Sequence, residues 1–344
     1  MSMKLIITGG AGFIGSTFVK KALDLNFDLM VVDKLTYASD IKTIQNFIDN
    51  KDILFEKIDI SDFKGIKKIF NFNPDKIIHF AAESHVDQSI NSPDKFINSN
   101  IIGTYNLLQN SLSYFNGLNI NKKNNFLFYH VSTDEVFGDL QHPQDKNYDP
   151  MSNENYFHEK SPYKPSSPYS ASKAASDHLV RAWYRTYKLP IMKSNCSNNY
   201  GPNQHSEKLI PHVVKCALDG SSIPVYGNGN QIRDWLHVED HVDAIINLLS
   251  FGKIGDTYNI GARCEVSNII LVKNICDILD NKFERTADIS FSNQITFVND
   301  RKGHDKRYAI DPSKIEQELN WKPKIPFKDG LESTIEFYIK YNNN

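Results

Sequence analysis

Apolar residues in the first half of the chain come in short runs, KLIIT, LMVVD, ILFEKIDI, KIIHFAA and NFLFYHVS, and a longer stretch of mixed polarity follows each one. Short apolar strands alternating with amphipathic segments predict βαβ units and a parallel sheet buried between helices. SPYSASKAASDHLVRAWYRTYK reads as a helix with Ser167 as N-cap and Pro168 in the first position, leading into IMKSNCS as the last strand of this half. From about Asn195 the rhythm loosens, because Pro202, Pro211, Pro224 and the YGNGNQ turn cut the chain into short pieces. A smaller, loop-rich unit is expected there. DGLESTIEFYIKY predicts a closing amphipathic helix, and the NNN tail is expected to fray.

The first run opens into TGGAGFIG, which reads G-x-G-x-x-G as Gly10, Gly12 and Gly15, and G-x-x-G-x-x-G when counted from Gly9. Glycines at these points allow a tight strand-to-helix turn, let backbone N–H groups reach a pyrophosphate, and let the helix pack closely on the sheet. Such spacing alone is common to many tight turns. Here the next strand ends in VVD, placing Asp33 about 20 residues on, where a carboxylate accepts hydrogen bonds from an adenosine ribose. A carboxylate there disfavours a 2′-phosphate, so NAD is expected rather than NADP. The expected contacts are Gly9, Gly12, Phe13, Ile14 and Gly15 in the turn, Asp33 and Lys34 at the second strand end, and Asp59 and Ile60 near an adenine ring. A helix cap beginning at Ser61 is the competing reading of that last stretch. The fold class is then α/β, with a doubly wound parallel-sheet (Rossmann) NAD-binding domain over 1–195, rejoined by 236–262. A smaller mixed α/β substrate domain comes mainly from 196–235 and 263–344.

Composition narrows the partners. With 39 basic and 41 acidic residues the formal charge is −2, so no overall field marks the chain for nucleic acid or an anionic membrane surface. No apolar stretch approaches the roughly 18 residues of a membrane helix, and the N-terminal segment lacks the pattern of a signal peptide. A cytoplasmic protein is expected. Cys196, Cys216, Cys264 and Cys276 form neither a C-x-x-C pair nor a zinc spacing, which predicts free thiols and no metal site.

Tyr169 and Lys173 stand at i and i+4 on the helix that Ser167 opens, so they share a face. A phenol titrates near pH 10, and lowering that by about 3 pH units takes roughly 4 kcal/mol. Lys173, together with a positive nicotinamide, would supply it. Combined with the glycine turn and with Thr133 upstream, this pair resembles the extended short-chain dehydrogenase/reductase superfamily that acts on nucleotide sugars. The resemblance makes Tyr169 the catalytic base, Lys173 its electrostatic partner, and Thr133 the hydroxyl sharing the hydrogen bond of the substrate alcohol.

Hydride removal from a sugar alcohol leaves Asp134 and Glu135 unexplained. Once C4 carries a ketone, the C5 hydrogen is acidified and the C6 hydroxyl lies β to the developing carbanion, so loss of water needs a base at C5 and an acid at C6. Neighbouring carboxyls serve both roles if one stays protonated and the other ionised. Consecutive strand residues point to opposite faces, so both reach one site only if the chain leaves the strand, for which Gly138 provides an opportunity. The triplet Thr133, Asp134, Glu135 resembles that of the dTDP-glucose 4,6-dehydratase family, as do AAESHVDQSI, NCSNNYGPNQ, QIRDWLHVEDH and DRKGHDKRYAID. By that resemblance Asp134 protonates the departing C6 hydroxyl, Glu135 removes the C5 proton, and a tightly held NAD is regenerated at each turnover.

The same resemblance places Ala81 and Asn100 by the cofactor, and Ser84, His85 and Asn198 near the sugar. It puts Lys208, Tyr226, Arg233, Asn268, Arg301 and His304 around the nucleotide diphosphate, where arginine suits paired phosphate oxygens. It also implies a homodimer formed through paired helices. Two positions depart from the family pattern: Gln88 in place of Arg, and Phe137 in place of Tyr. The expected substrate is a dTDP-sugar, dTDP-glucose. The alternatives are a UDP-glucose 4,6-dehydratase, a UDP-sugar 4-epimerase, a UDP-glucuronate decarboxylase and a non-enzymatic NAD sensor.

Overall fold

A computed structural model describes residues 2–342; the end of the NNN tail, 343–344, lies outside the described residues. The strands are β1 (Lys4–Thr8), β2 (Asp28–Asp33), β3 (Ile53–Lys57), β4 (Lys76–His79), β5 (Leu127–Thr133), β6 (Ile191–Cys196), β7 (Asn198–Tyr200), β8 (Ile223–Tyr226), β9 (Ile232–His237), β10 (Thr257–Ile260), β11 (Glu265–Ser267) and β12 (Ile295–Val298). Seven of them form one sheet in the order β10-β6-β5-β4-β1-β2-β3, with every pairing parallel.

The apolar runs are buried on both faces. Leu5, Ile7, Val31, Ile78 and Tyr129 face helices Phe13–Asp24 and Val238–Phe251, which contribute Phe18, Val19, Val242 and Ile245. The alternate positions Ile6, Val32, Ile77 and Phe128 face helices Thr104–Gly117 and Pro168–Tyr187 through Leu107, Leu108, Val180 and Trp183. This is the doubly wound Rossmann-like arrangement. Because the chain works outward from β1 in one direction and from β4 in the other, a crevice opens above their carboxyl ends.

The second half is more regular than its prolines suggest. β10, from the 236–262 stretch, pairs with β6 on the outer edge of the large sheet. Pro211 does not break its helix, Leu209–Leu218; it stands in the first turn, where its missing N–H would have had no intrahelical partner. That helix, Asn268–Lys282 and Phe327–Asn342 bury a separate apolar cluster including Val213, Val214, Leu271, Ile275 and Ile335. Around it lie a three-stranded sheet, β11-β9-β7, and a two-stranded one, β12-β8.

The turn after β1 is tight. Gly9 has φ +73°, and a Cβ on Gly15 would stand 2.1 Å from the Gly9 carbonyl oxygen. No rotamer relieves a clash with backbone. Gly15→Ala is therefore expected to lower stability by about 1–3 kcal/mol in urea denaturation, and an unchanged midpoint would contradict the packing described.

Candidate active site

The crevice above β1 and β4 is lined by Gly9, Gly12, Phe13, Ile14 and Gly15 from the turn, by Asp33, Lys34, Ile60 and Ala81, and at its far end by Thr133, Asp134, Glu135, Tyr169 and Lys173. The Asp33 carboxylate is buried at the end of β2, where it accepts hydrogen bonds from the backbone of Ala11 (3.1 Å) and Leu35 (2.8 Å) and from Ser39 Oγ (3.1 Å). Lys34 Nζ donates to Ser99 Oγ at 2.6 Å and pairs with Glu83 at 3.0 Å. A Cβ on Gly12 would come within 3.2 Å of the Gly9 oxygen, a tight contact that would crowd the cradle. A backbone cradle at a helix start with a carboxylate on the next strand end fits a dinucleotide.

Two of the expected cofactor residues, Asp59 and Asn100, are not among the residues that line the crevice. Asp59 is not in the crevice wall; it accepts from the Ser61 N–H at 2.8 Å, while the cap of the next helix is Asp62, which accepts from the Lys64 N–H. Asn100 is buried behind the wall, in a one-turn π-helical stretch, Ile97–Gly103. Its amide exchanges hydrogen bonds with the Glu83 backbone (2.9 and 3.0 Å) and donates to Ser172 (2.8 Å), tying the loop after β4 to the helix of Tyr169.

At the far end the chain leaves β5 at Asp134 and makes one 3₁₀ turn, Asp134–Phe137, so the strict alternation of a strand no longer applies. Thr133 Oγ1 accepts from the Glu135 N–H and donates to Asp134 Oδ1, both at 3.2 Å. Gly138, with φ +90°, closes the turn; a Cβ there would fall 2.3 Å from the Lys164 oxygen. Both carboxyls thereby face the crevice.

Their surroundings differ. Asp134 is raised well above the ordinary carboxylate range by burial and by the charges of Glu135 and Asp234, and its Oδ2 has no hydrogen-bond partner among the described residues. An unpartnered buried carboxylate oxygen is costly, whereas a protonated one is far less so. Glu135 is also raised by burial, but Arg233, Arg301 and Lys208 oppose this. Cations thus favour the ionised form of Glu135, while like charge favours the protonated form of Asp134.

Tyr169 and Lys173 are both buried on the helix opened by Ser167 and Pro168, where Ser167 and Ser170 form a capping box. Lys173 Nζ donates to the Val131 carbonyl at 2.8 Å, and burial lowers its pKa to about 8. The surroundings of the phenol act against the direction expected from Lys173. Burial raises the Tyr169 pKa well above its ordinary value, Glu135 and Asp134 push the same way, and the Thr133 hydroxyl opposes them.

Ser84, Asn198 and Lys208 line the crevice, with Lys208 Nζ donating to the Ser84 carbonyl at 2.9 Å. His85, Tyr226, Arg233, Asn268, Arg301 and His304 are not in its wall. Arg233 is buried, donates to the carbonyls of Ile232 and Asp305, and lies 4.2 Å over the ring of Tyr308. Arg301 pairs with Asp87 at 3.6 Å, and Tyr226 donates to the same carboxylate at 3.3 Å. His304 meets Asp300 at 2.7 Å, and the Asn268 N–H donates to the Gln231 carbonyl at 2.9 Å. Glu207 and His205, absent from the sequence reading, also line the crevice. Glu207 accepts from Tyr37 and Gln88 at 3.4 Å and faces His85 at 3.7 Å. The one sequence signal for Glu207 was its adjacency to Lys208. Phe137 stacks on Phe157 at 5.1 Å inside an apolar cluster, where a phenolic hydroxyl is dispensable.

A family profile described as GDP-mannose 4,6 dehydratase matches residues 6–334. A dTDP-glucose 4,6-dehydratase of Shigella flexneri is 51% identical over 346 residues, covering 99% of this chain and 94% of its own. Among solved structures, a dTDP-glucose 4,6-dehydratase of Streptomyces venezuelae with NAD bound superposes with a TM-score of 0.86 at 38% identity, covering 99% of this chain and 98% of its own. Another, from Bacillus anthracis and also in complex with NAD, gives 0.83 at 37% over the same shares. The chain belongs to the GDP-mannose 4,6 dehydratase family, among its dTDP-glucose 4,6-dehydratases.

Proposed function

We propose that this chain converts dTDP-glucose to dTDP-4-keto-6-deoxyglucose and water, as an NAD-dependent dTDP-glucose 4,6-dehydratase. The observation that carries the reading is the unlike pair at the end of β5, one carboxyl held towards its protonated form and its neighbour faced by three cations, beside a buried Tyr and Lys. Relatives near half-identical over almost the full chain bear the same name, and dTDP in those names weighs for the thymine nucleotide over UDP. An epimerase or decarboxylase has no use for an acid and a base side by side after Thr133, and an NAD sensor has no use for either.

Bound NAD would take the C4 hydrogen with its electrons and later return it to C6, leaving no net oxidation. The glycine turn, Asp33 and Lys34 would hold it. Thr133 and Tyr169 would orient the C4 hydroxyl, and Tyr169 Oη would accept its proton. The phenol, held high by burial and by the carboxyls, relies on cations to ionise: Lys173 on its own helix and the positive ring of the cofactor. Glu135 would then remove the C5 proton and Asp134 would protonate the leaving C6 hydroxyl. Lys208, Arg301 and Arg233 favour an ionised Glu135 and supply positive charge towards a nucleotide diphosphate; His85, Ser84 and Asn198 would border the sugar, with Tyr226, Asn268 and His304 towards the nucleotide.

A cytoplasmic homodimer completes the reading. All four cysteines are free, and no helix among the described residues is long and apolar enough to cross a membrane. Ile97, Ile102, Tyr105 and Tyr187 leave exposed apolar surface on the segments flanking Trp183, as an interface between helix pairs would require.

Incubated with dTDP-glucose, the purified protein is expected to give a product lighter by one water with no accumulation of NADH; unchanged mass with an altered C4 configuration would make it an epimerase. Asp134→Asn is expected to retain C4 oxidation in a single turnover and slow dehydration about 10²–10⁴-fold, whereas undiminished dehydration would remove Asp134 as the acid. Tyr169→Phe should instead cut the oxidation itself, and an unaltered oxidation rate would remove the phenol as base.

A further inference from the structure

Behind the Tyr169–Lys173 pair lies a cluster of ionisable groups that the reaction above does not use. Asp177 is one turn beyond Lys173 on the same helix and 1% exposed. Its carboxylate accepts from four donors on three elements: His130 Nε2 of β5 at 3.1 Å, Tyr163 Oη at 2.7 Å, and Lys193 Nζ at 3.0 Å and Asn195 Nδ2 at 3.3 Å, both of β6. The same Asn195 amide donates to the Thr133 carbonyl at 3.0 Å. A chain of contacts therefore runs from Asp177 to the residue that begins the acid–base turn.

The charges in this cluster do not cancel. Two ammonium groups, Lys173 and Lys193, are buried here with one carboxylate between them, and both imidazoles nearby, His130 and His79, are driven towards the neutral form by burial. Lys193 has the carboxylate in direct contact. Lys173 has the Val131 carbonyl and, among the groups facing it, takes its largest support from the Asp177 charge. The other groups around Lys173 are His130 of β5, His79 of β4, and Lys193 and Cys196 of β6, and Tyr169 on its own helix lines the same crevice.

We propose that Asp177 is a positioning residue for this reaction: the buried counter-anion that keeps Lys173 an ammonium beneath Tyr169 and, through Asn195, fixes the turn carrying Thr133, Asp134 and Glu135. Lys193 contacts the carboxylate directly, whereas Lys173 has its charge without the contact and has Lys193 as a neighbouring like charge. Removing Asp177 leaves two buried cations without its charge, and removing Lys193 takes a like charge away from Lys173 while His130, Tyr163 and Asn195 still hold the carboxylate. The two changes must move Lys173 in opposite directions, whereas a purely structural role predicts no such opposition.

The test is a direct titration of Lys173 in the holoenzyme by NMR of ¹³Cε-labelled lysine, its signal assigned by loss in Lys173→Met. Asp177→Asn, which keeps the shape and an acceptor, is expected to bring the midpoint down by about one pH unit or more, and Lys193→Met to bring it up. The alkaline limb of the single-turnover oxidation rate should follow both shifts, with KM for the sugar nucleotide changed less than threefold. A midpoint that stays in place in Lys193→Met, or moves the same way in both variants, overturns the proposal, and the Lys193 arm decides it if Asp177→Asn does not fold. The inference rests on the oxidising role read for Tyr169 and Lys173. That role fails if Tyr169→Phe oxidises normally, while this inference fails on an unmoved Lys173 midpoint with oxidation intact.

Discussion

The function turns on where β5 stops. Seven parallel strands bring their carboxyl ends to one edge, and at that edge the chain after Thr133 gives up the strand for a single 3₁₀ turn. The turn is held by the Thr133 hydroxyl, which accepts from the Glu135 N–H while donating to Asp134. In an extended continuation one of the two carboxyls would have pointed away from the crevice. Everything proposed about elimination depends on this local departure from regular structure, and on the Gly138 backbone that completes it without meeting Lys164.

A second constraint is electrostatic. Two adjacent carboxyls in a buried site cannot both be comfortably ionised, and the protein resolves this by giving them different neighbours. Asp134 meets the like charges of Glu135 and Asp234, opposed by Arg233 and the Thr133 hydroxyl; Glu135 meets Arg233, Arg301 and Lys208, all from the second half of the chain. On the proposed reading, the first half supplies Tyr169, Lys173 and both carboxyls, while cations of the second half favour the ionised form of Glu135. The separation of acid from base is in this sense a property of the contact between the two halves.

Much of this was legible in sequence because it rests on local chemistry. The βαβ rhythm, the glycine turn and the Ser167–Pro168 helix start depend on neighbouring residues, and they lie where the patterns put them. The second half was read as looser than it is. Pro211 occupies a first helical turn, where proline costs little, and β10 returns to the large sheet from within 236–262, the stretch expected to rejoin the first domain. The cluster around Asp177 was invisible for another reason. Its partners lie 14 to 47 residues away along the chain, and only the pairing of β5 with β6 and the packing of the helix over them bring the charges together. Asn100 and Asp59 have structural partners that sequence did not announce: one ties the loop after β4 to the helix of Tyr169, and the other accepts from the Ser61 N–H within its own loop.

The account holds that one hydrogen leaves C4 and the same hydrogen arrives at C6 within a single turnover. Deuterium placed at C4 of dTDP-glucose tests this directly, with the product read by NMR and mass spectrometry. The label is expected at C6 of the 4-keto-6-deoxy product, with C5 exchanged from solvent through Glu135. Deuterium lost to solvent, or retained at C4, would contradict it.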